Sequence, residues 1–395
     1  VIGFDEACGC VAAAARPLGV ETVPLDEAWN RVLAEAVVAD RAAPEAAVSA
    51  MDGYAVRDAD LRDGLARLKV VGEAFAGQLA YDRPLEPGDC VRIFTGARIP
   101  PGADRVVIQE HVRAEAGEAW FEGPLAAARH IRAAGSDFRQ GDELLPAGVL
   151  LTPQALVTAA AAGRASLEVY RRPRVFILST GDELVEPGAA AAPGAIFESV
   201  SFGVAALARA WGAEVVGRVR VGDDLDALRQ AAAAALETAD VVVATGGASV
   251  GARDFSYAMF EPFGVEPLFR KVAIKPGKPV WLGRVGSRFA VGLPGNPAAA
   301  MVTARLFLAP LLAGLGGRRP EAALEWESHR AAVAAAAGCD RDGFLRASGG
   351  EHGARALGAQ DSSGQAELGM AGLLIRRRPQ APALAAGDPV EALRF

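Results

Sequence analysis

Arg174-Val175-Phe176-Ile177-Leu178, running into Ser179-Thr180-Gly181-Asp182-Glu183, is the stretch that decides the fold. An unbroken apolar run closed by a Gly and acid-rich loop fits a strand buried on both faces and the loop at its carboxyl end. Pro173 marks a boundary in front of it. Beyond it the spacing predicts a helix over Phe202 to Trp211, a strand over Ala213 to Val221, a helix over Leu225 to Leu236 and a strand over Asp240 to Ala244. Phe289-Ala290-Val291 reads as a further strand, running through Leu293-Pro294-Gly295-Asn296-Pro297 into an Ala-rich helix to Leu312. Strands alternating with helices in this way imply a parallel α/β sheet covered on both faces.

The flanking sequence has another character. Pro24-Leu25-Asp26-Glu27-Ala28 reads as a capped helix start, continuing through Trp29, Val32 and Leu33. From Met51 to Glu110 short β-rich runs such as Leu68-Lys69-Val70-Val71 and Arg105-Val106-Val107-Ile108 are separated by the turns Pro87-Gly88-Asp89 and Pro100-Pro101-Gly102. Pro153 to Gly163 reads as a helix with proline at its first position. Residues 314–320 read as a linker, and the short strands and turns from about Ala323 as a small β-barrel. No internal repeat is present.

At 395 residues the chain has room for two to four domains of about 150 residues each. With 51% hydrophobic and 23% charged residues it can bury large cores and is wrong for disorder. A net charge of -7 argues against a general nucleic-acid or anionic-membrane binder, so any anion site must be local. Apolar stretches are broken by Gly, Pro or Arg before the roughly 18 residues of a membrane span, and no basic-then-apolar leader opens the sequence, which reads as cytoplasmic. Cys8, Cys10, Cys90 and Cys339 have no zinc spacing and read as reduced structural thiols. His111, His130, His329 and His352 form no paired-ligand motif, so a histidine-centred triad has little support.

Three loops at strand ends carry the chemistry: Thr180-Gly181-Asp182-Glu183, then Thr245-Gly246-Gly247-Ala248-Ser249-Val250-Gly251 with Asp254, then Pro294-Gly295-Asn296-Pro297. Ligands of open parallel sheets bind outside these ends, and glycines let backbone N–H groups converge on an oxyanion. Only four basic residues are lysine, and Lys271, Lys275 and Lys278 fall within eight positions between the second and third loops. Such compact point charges suit a phosphate, molybdate or sulfate dianion, with a solvated loop as the plain alternative. Gly277-Lys278 is followed by Pro279, and no Walker or G-x-G-x-x-G motif is present, so ordinary P-loop and NAD-dehydrogenase readings lose their support. Glu183, Asp223 and Asp254 supply hard oxygens of the kind Mg²⁺ takes when it bridges protein and ligand phosphate. The alternative for Asp223 is the N-cap of the helix from Leu225, and for Glu183 a solvated loop acid.

Six stretches in order, 49–56, 93–100, 179–184, 246–254, 271–279 and 292–297, resemble the molybdopterin molybdenumtransferases, the MoeA type to which the C-terminal part of gephyrin is similar. The resemblance implies an enzyme, a transferase that inserts molybdate into adenylylated molybdopterin with release of AMP, aided by Mg²⁺, in the last step of molybdenum cofactor biosynthesis. It implies an elongated α+β domain from residues 1–44 and 139–172, an inserted β-rich module over 45–138, an α/β molybdopterin-binding domain over 173–322 and a C-terminal β-barrel over 323–395. It also implies a homodimer whose cleft is shared between subunits, and transient contact with the molybdopterin-adenylylating protein. Carried over position by position, Asp52, Thr95, Glu183 and Asp254 become catalytic. Arg132, Asp137, Gly246, Gly247, Ser249, Gly251, Lys271, Lys275, Lys278, Pro294, Pro297 and Ser362 bind substrate, and Asp223, Asp254 and Glu183 hold metal. The chain departs from the family pattern at Ala47-Val48, Glu198 and Val200, and because Val200 cannot hydrogen-bond a ligand, a non-catalytic or altered-substrate molybdopterin-binding scaffold is the rival reading.

Overall fold

The computed structural model describes residues 1–61, 65–78, 81–124, 127–247, 255–351 and 353–395. They fall into two compact units, one of Val1–Glu35, Ala147–Thr152 and Ser166–Phe395, the other of Ala36–Pro146 with Pro153–Ala165.

The chain opens on helix α1 (Phe4–Ala14), which buries Phe4, Ala7, Val11 and Ala14 along one helical face. Strand β1 (Val20–Pro24) follows. The helix expected from Leu25 onward is not formed beyond the single 3₁₀ turn Leu25–Glu27. Asn30 takes a left-handed conformation, and Val32 and Leu33 are then drawn into separate bridges with Leu150 and Val169. Neighbouring residues on a helix point about 100° apart, so burying both Val32 and Leu33 is better met by extended chain held from two sides.

The second unit is built on a six-stranded sheet. Its strands β2 (Gly53–Val56), β3 (Ala66–Ala74), β4 (Asp89–Ile93), β5 (Arg105–Ile108), β6 (Val112–Glu115) and β7 (Glu118–Phe121) lie in the order β5-β2-β4-β3-β7-β6. Only β3 and β4 run parallel. Tyr54, Val56, Leu68, Cys90 and Phe121 fill one face, and Ala55, Val91, Ile93 and Val106 the other, as a period of two requires. Helix α2 (Pro153–Ala161) starts on the expected proline.

In the first unit β8 (Ser166–Tyr170) pairs antiparallel with β1. The central sheet holds β9 (Arg174–Thr180), β10 (Glu214–Val221), β11 (Val241–Thr245), β12 (Glu266–Phe269), β14 (Trp281–Val285) and β15 (Arg288–Leu293), with β13 (Ile274–Lys275) lying outside it, in the order β10-β9-β11-β15-β14-β12. Val175, Ile177, Val241 and Val243 point to the side of α1 and of helix α3 (Val200–Ala210), whereas Leu178, Val242 and Ala244 meet helix α4 (Leu225–Thr238). The sheet is thus covered on both faces, as expected. It is parallel through β10, β9, β11 and β15, whereas β14, folded back by the two-residue turn Gly286-Ser287, pairs antiparallel with β15 and with β12 on its other side.

Helix α5 (Pro297–Leu315) contains a π-helical segment at Ala304–Leu308 and crosses the core. It is long and apolar enough to span a membrane, with mean hydropathy 1.8, yet 94% of it is buried inside the protein, the situation of a core helix. Its one charge, Arg305, donates to the carbonyls of Arg394 and Ala323 and lies over the Trp211 ring, and burial pushes its guanidinium down to about 10. Strands β16 (Glu327–Arg330), β17 (Asp342–Gly350), β18 (Gly353–Ala356), β19 (Leu373–Arg377) and β20 (Pro389–Arg394) make the last sheet, ordered β13-β17-β19-β20-β16 with β18 beside β17. Ala331, just after β16, bridges to Ala354 in β18. The short β13 therefore carries part of the lysine segment into a sheet made otherwise of C-terminal sequence.

Candidate active site

Three loops meet at the carboxyl ends of the parallel strands. Gly246 has φ 89°, and a Cβ there would lie 2.3 Å from the carbonyl oxygen of Thr180, so only glycine lets the β9 and β11 loops touch. On the other side, a Cβ on Gly295 would come within 3.3 Å of the Gly246 Cα, which brings in the loop after β15. The Thr180 hydroxyl donates to Asp223 Oδ1 at 2.8 Å, and the Asp223 N–H donates to Asp182 Oδ1 at 3.0 Å. The cap of α4 is not Asp223 but Asp224, whose Oδ1 accepts from the Ala227 N–H at 2.7 Å. Asp223 is thereby released from capping and is exposed at the sheet end, as is Glu183. Ser249, Gly251 and Asp254 lie outside the described residues.

Beside this rim is a cleft of about 1240 Å³ that gathers Gly247, Lys271, Lys275, Lys278, Pro294 and Ser362 from four separate parts of the sequence. Val272, Ile274 and Val280 turn inward and leave all three lysines exposed. Among the described residues none of these lysines makes an ion pair, which leaves their charge for a ligand. The segment itself is held firmly: the Ile2 N–H donates to Lys271 O, the Ala273 N–H to Ile2 O, and Ile274-Lys275 pairs with Asp342-Gly343. Ser362 belongs to the cleft through its carbonyl, which accepts from the N–H groups of Ala298 and Ala299 in the first turn of α5, while the Asn296 amide donates to its hydroxyl at 2.8 Å. Pro297 opens α5 and borders a neighbouring groove instead of the lysine cleft.

The sequence reading missed Arg341, Arg346 and Arg377. Arg341 and Arg377 line the same cleft, and Arg377 stands opposite Gly343, itself opposite Lys275, so two cations flank a glycine across three strands. Arg346 is buried and donates to the carbonyls of Ala359 and Asp361, both at 2.8 Å, fixing the loop that carries Ser362. Register between strands far apart in the chain is the only signal for these residues, and no local motif holds it.

Two departures from the family pattern prove to be matters of packing. Glu198 is buried and accepts from the Ser201 N–H at 2.8 Å, from the Ser201 hydroxyl, and from Ser179 and Arg218 at 3.3 Å each. Val200 is the first residue of α3 and belongs to the apolar core of the sheet.

In the second unit Asp52 and Thr95 are in direct contact. Asp52 Oδ1 accepts both the backbone N–H and the hydroxyl of Thr95 at 2.7 Å. These bonds, the backbone one first, hold the Asp52 carboxyl below the usual aspartate range, with help from the Arg92 charge. The carboxyl therefore stays ionised as pH falls to where an ordinary aspartate takes up its proton. In a carbon-detected NMR titration Asp52 is expected to protonate below the ordinary value of 3.8, and Thr95→Val to move the midpoint only part of the way back, since the backbone donor remains. An unchanged midpoint in Thr95→Val would remove the hydroxyl from this account. Arg132 lies in a two-residue strand opposite Val48, and the Asp137 N–H donates to Ala43 O. Both side chains are exposed, and among the described residues neither has an ion pair.

Comparison with known proteins places these features in a family. Residues 2–163 match the MoeA N-terminal region (domain I and II), and residues 176–314 match the probable molybdopterin binding domain. The chain is 40% identical over 304 residues to the molybdopterin molybdenumtransferase of Haemophilus influenzae, covering 77% of this chain and 74% of that protein. It is 35% identical over 319 residues to the Bacillus subtilis protein of the same name, covering 79% and 74%. A crystal structure of a molybdopterin biosynthesis MoeA protein from Pyrococcus horikoshii superposes with a TM-score of 0.84 at 25% identity, covering 100% of both chains. With the family motifs, the multidomain α/β and β architecture and the overall superposition in agreement, the chain belongs to the molybdopterin molybdenumtransferases.

Proposed function

We infer that the protein inserts molybdate into adenylylated molybdopterin and releases AMP, the last step of molybdenum cofactor assembly. The observation that carries this reading is the cleft itself: three lysines without an ion pair among the described residues, and two arginines, beside a rim of glycine loops at the carboxyl ends of parallel strands. Lys275 and Lys278 hold the oxyanion and the ligand phosphates as point charges, Lys271 adds to the field, and the Gly246-Gly247 backbone supplies donors. Asp52, oriented by the two Thr95 donors, is a charged acceptor in the second unit. Val200 packs in the apolar core while also bordering the groove of Pro297, and it is the relatives, named molybdenumtransferases, that weigh against the scaffold reading.

Mg²⁺ fits the donor set at the rim. Asp223 and Glu183 are exposed hard carboxylates at the ends of adjacent strands, and Mg²⁺ keeps several waters and needs only one or two protein carboxylates. When bound, it would neutralise phosphate charge and orient the leaving AMP. The four-domain division, the C-terminal barrel, the cytoplasmic location and transient docking of the adenylylating protein belong to the same reading. The Ala331–Ala354 bridge, which links β16 back to β18, supports the barrel.

AMP release from adenylylated molybdopterin, measured with and without molybdate, tests the function. Release that depends on molybdate is expected, and binding without it would restore the scaffold. The homodimer with a shared cleft gives a second test. Asp52→Ala and the double variant Lys275→Ala, Lys278→Ala are each expected to lose most of their activity, and mixing them to recover it through heterodimers with one intact cleft. No recovery despite proven subunit exchange would place all three residues in one subunit's site.

A further inference from the structure

We propose that a pocket within the second unit, walled by Phe75, Gln78, Arg41 and Arg98, binds a planar heteroaromatic ring that carries a phosphate. The proposal rests on the function inferred above and assigns this unit a grip on one phosphate-bearing ring of the substrate. Strands β3 and β4 run parallel with Ala74 opposite Ile93, and the Phe94 N–H donates to Ala74 O at 3.1 Å. Phe75 and Phe94 therefore leave adjacent strand ends at one level, and their rings stack at 4.5 Å and 11°. Phe94 is also covered by the Arg92 guanidinium, 4.9 Å from its centroid, and the same guanidinium lies over Tyr54. Phe75 is the open end of this column: it keeps 38% of its surface exposed and borders a pocket of about 620 Å³.

The pocket has the chemistry of a ring with an anionic tail. An aromatic face set in place by a second ring stacks any flat heterocycle at little ordering cost. Gln78 offers both an amide donor and an amide acceptor to ring edges. Arg41 and Arg98 share one carboxylate, Glu45, each at 3.6 Å, and all three side chains are about half exposed or more. Such loose exposed pairs are weak, and two guanidinium groups on one carboxylate leave a net positive charge for a phosphate. Arg98 is fixed from behind by its bridge to Val48. Gly96, at φ 81°, lets the 95–98 loop pack on the Phe75 loop, where a Cβ would come within 3.3 Å of Ala76. One residue before Gly96 is Thr95, the partner of Asp52, so the pocket adjoins the charged pair of this unit.

Two halves of the substrate carry this chemistry, the adenylate and the pterin phosphate. Calorimetric titration of the full-length protein with AMP, neopterin monophosphate, adenosine and inorganic phosphate separates them. One of the two ring phosphates is expected to bind more tightly than adenosine and than phosphate alone. For that ligand Phe75→Ala should weaken binding at least about fivefold, Phe75→Trp should keep it, and Arg98→Ala should erase the advantage over the phosphate-free compound. Phe75→Leu, which keeps apolar bulk without the π face, should behave like the alanine variant, with circular dichroism confirming the fold of each. Unchanged affinity of Phe75→Ala for both ring phosphates, or equal binding by Phe75→Leu and the parent, overturns the proposal. Failure of the inferred function shows itself separately, as absence of molybdate-dependent AMP release in the unmutated protein.

Discussion

The double variant Lys275→Ala, Lys278→Ala is expected to lose binding of molybdate and of the phosphorylated pterin by at least about a hundredfold at low salt. A charge-assisted hydrogen bond to an anion is worth roughly 1.5 to 3 kcal/mol, about tenfold or more for each lysine. The geometry favours the full effect, because no described carboxylate pairs with either lysine in the free protein and so no described ion pair has to be broken when a dianion arrives. Arginine at either place should recover only part of the affinity, since a planar fork does not reproduce a compact ammonium. Equilibrium binding across a salt series measures this. Equal affinity of the double variant and the parent at low salt would return the lysines to an ordinary solvated loop.

Phe307→Ala is expected to cost the first unit about 3 to 5 kcal/mol. Phe307 is 1% exposed within the π segment of α5, with ring centroids 6.0 Å from Phe4 and 5.4 Å from Phe269. It thus joins α1, α5 and the edge of the central sheet in one aromatic cluster, and none of these elements can close onto a missing ring without moving the others. Urea unfolding followed by tryptophan fluorescence reports on this unit through Trp211, Trp281 and Trp326. A loss under about 1 kcal/mol would mean that the core collapses around the gap.

Much of the architecture was legible in the sequence because the central strands are buried on both faces. Such strands leave unbroken runs like Val175 to Leu178, and the helices between them repeat at a helical period. The 25–33 segment was misread for the opposite reason. Its apolar spacing imitates a helical face, although the burial of Val32 and Leu33 comes from strands more than a hundred positions away. The antiparallel end of the sheet was missed because Trp281–Val285 was not read as a strand, so the hairpin signal of the Gly286-Ser287 turn had nothing to join. In the site, the lysines and glycine loops could be found as local signals. Arg341 and Arg377 could not, since their place in the cleft depends on the register of Lys275, Gly343 and Arg377 across three strands.

The pairing of Ile274-Lys275 with Asp342-Gly343 also has a bearing on synthesis. Loops closed over long stretches of chain form late, because the closure entropy is met before any contact rewards it. As the nascent chain emerges, Ile2 is available to hold Lys271 and Ala273 as soon as they appear, but the other side of that segment has no partner until Asp342 has left the ribosome. The central sheet can condense first, with its cation-rich segment tethered on one side only. Competence to grip an oxyanion therefore waits on the emergence of β17.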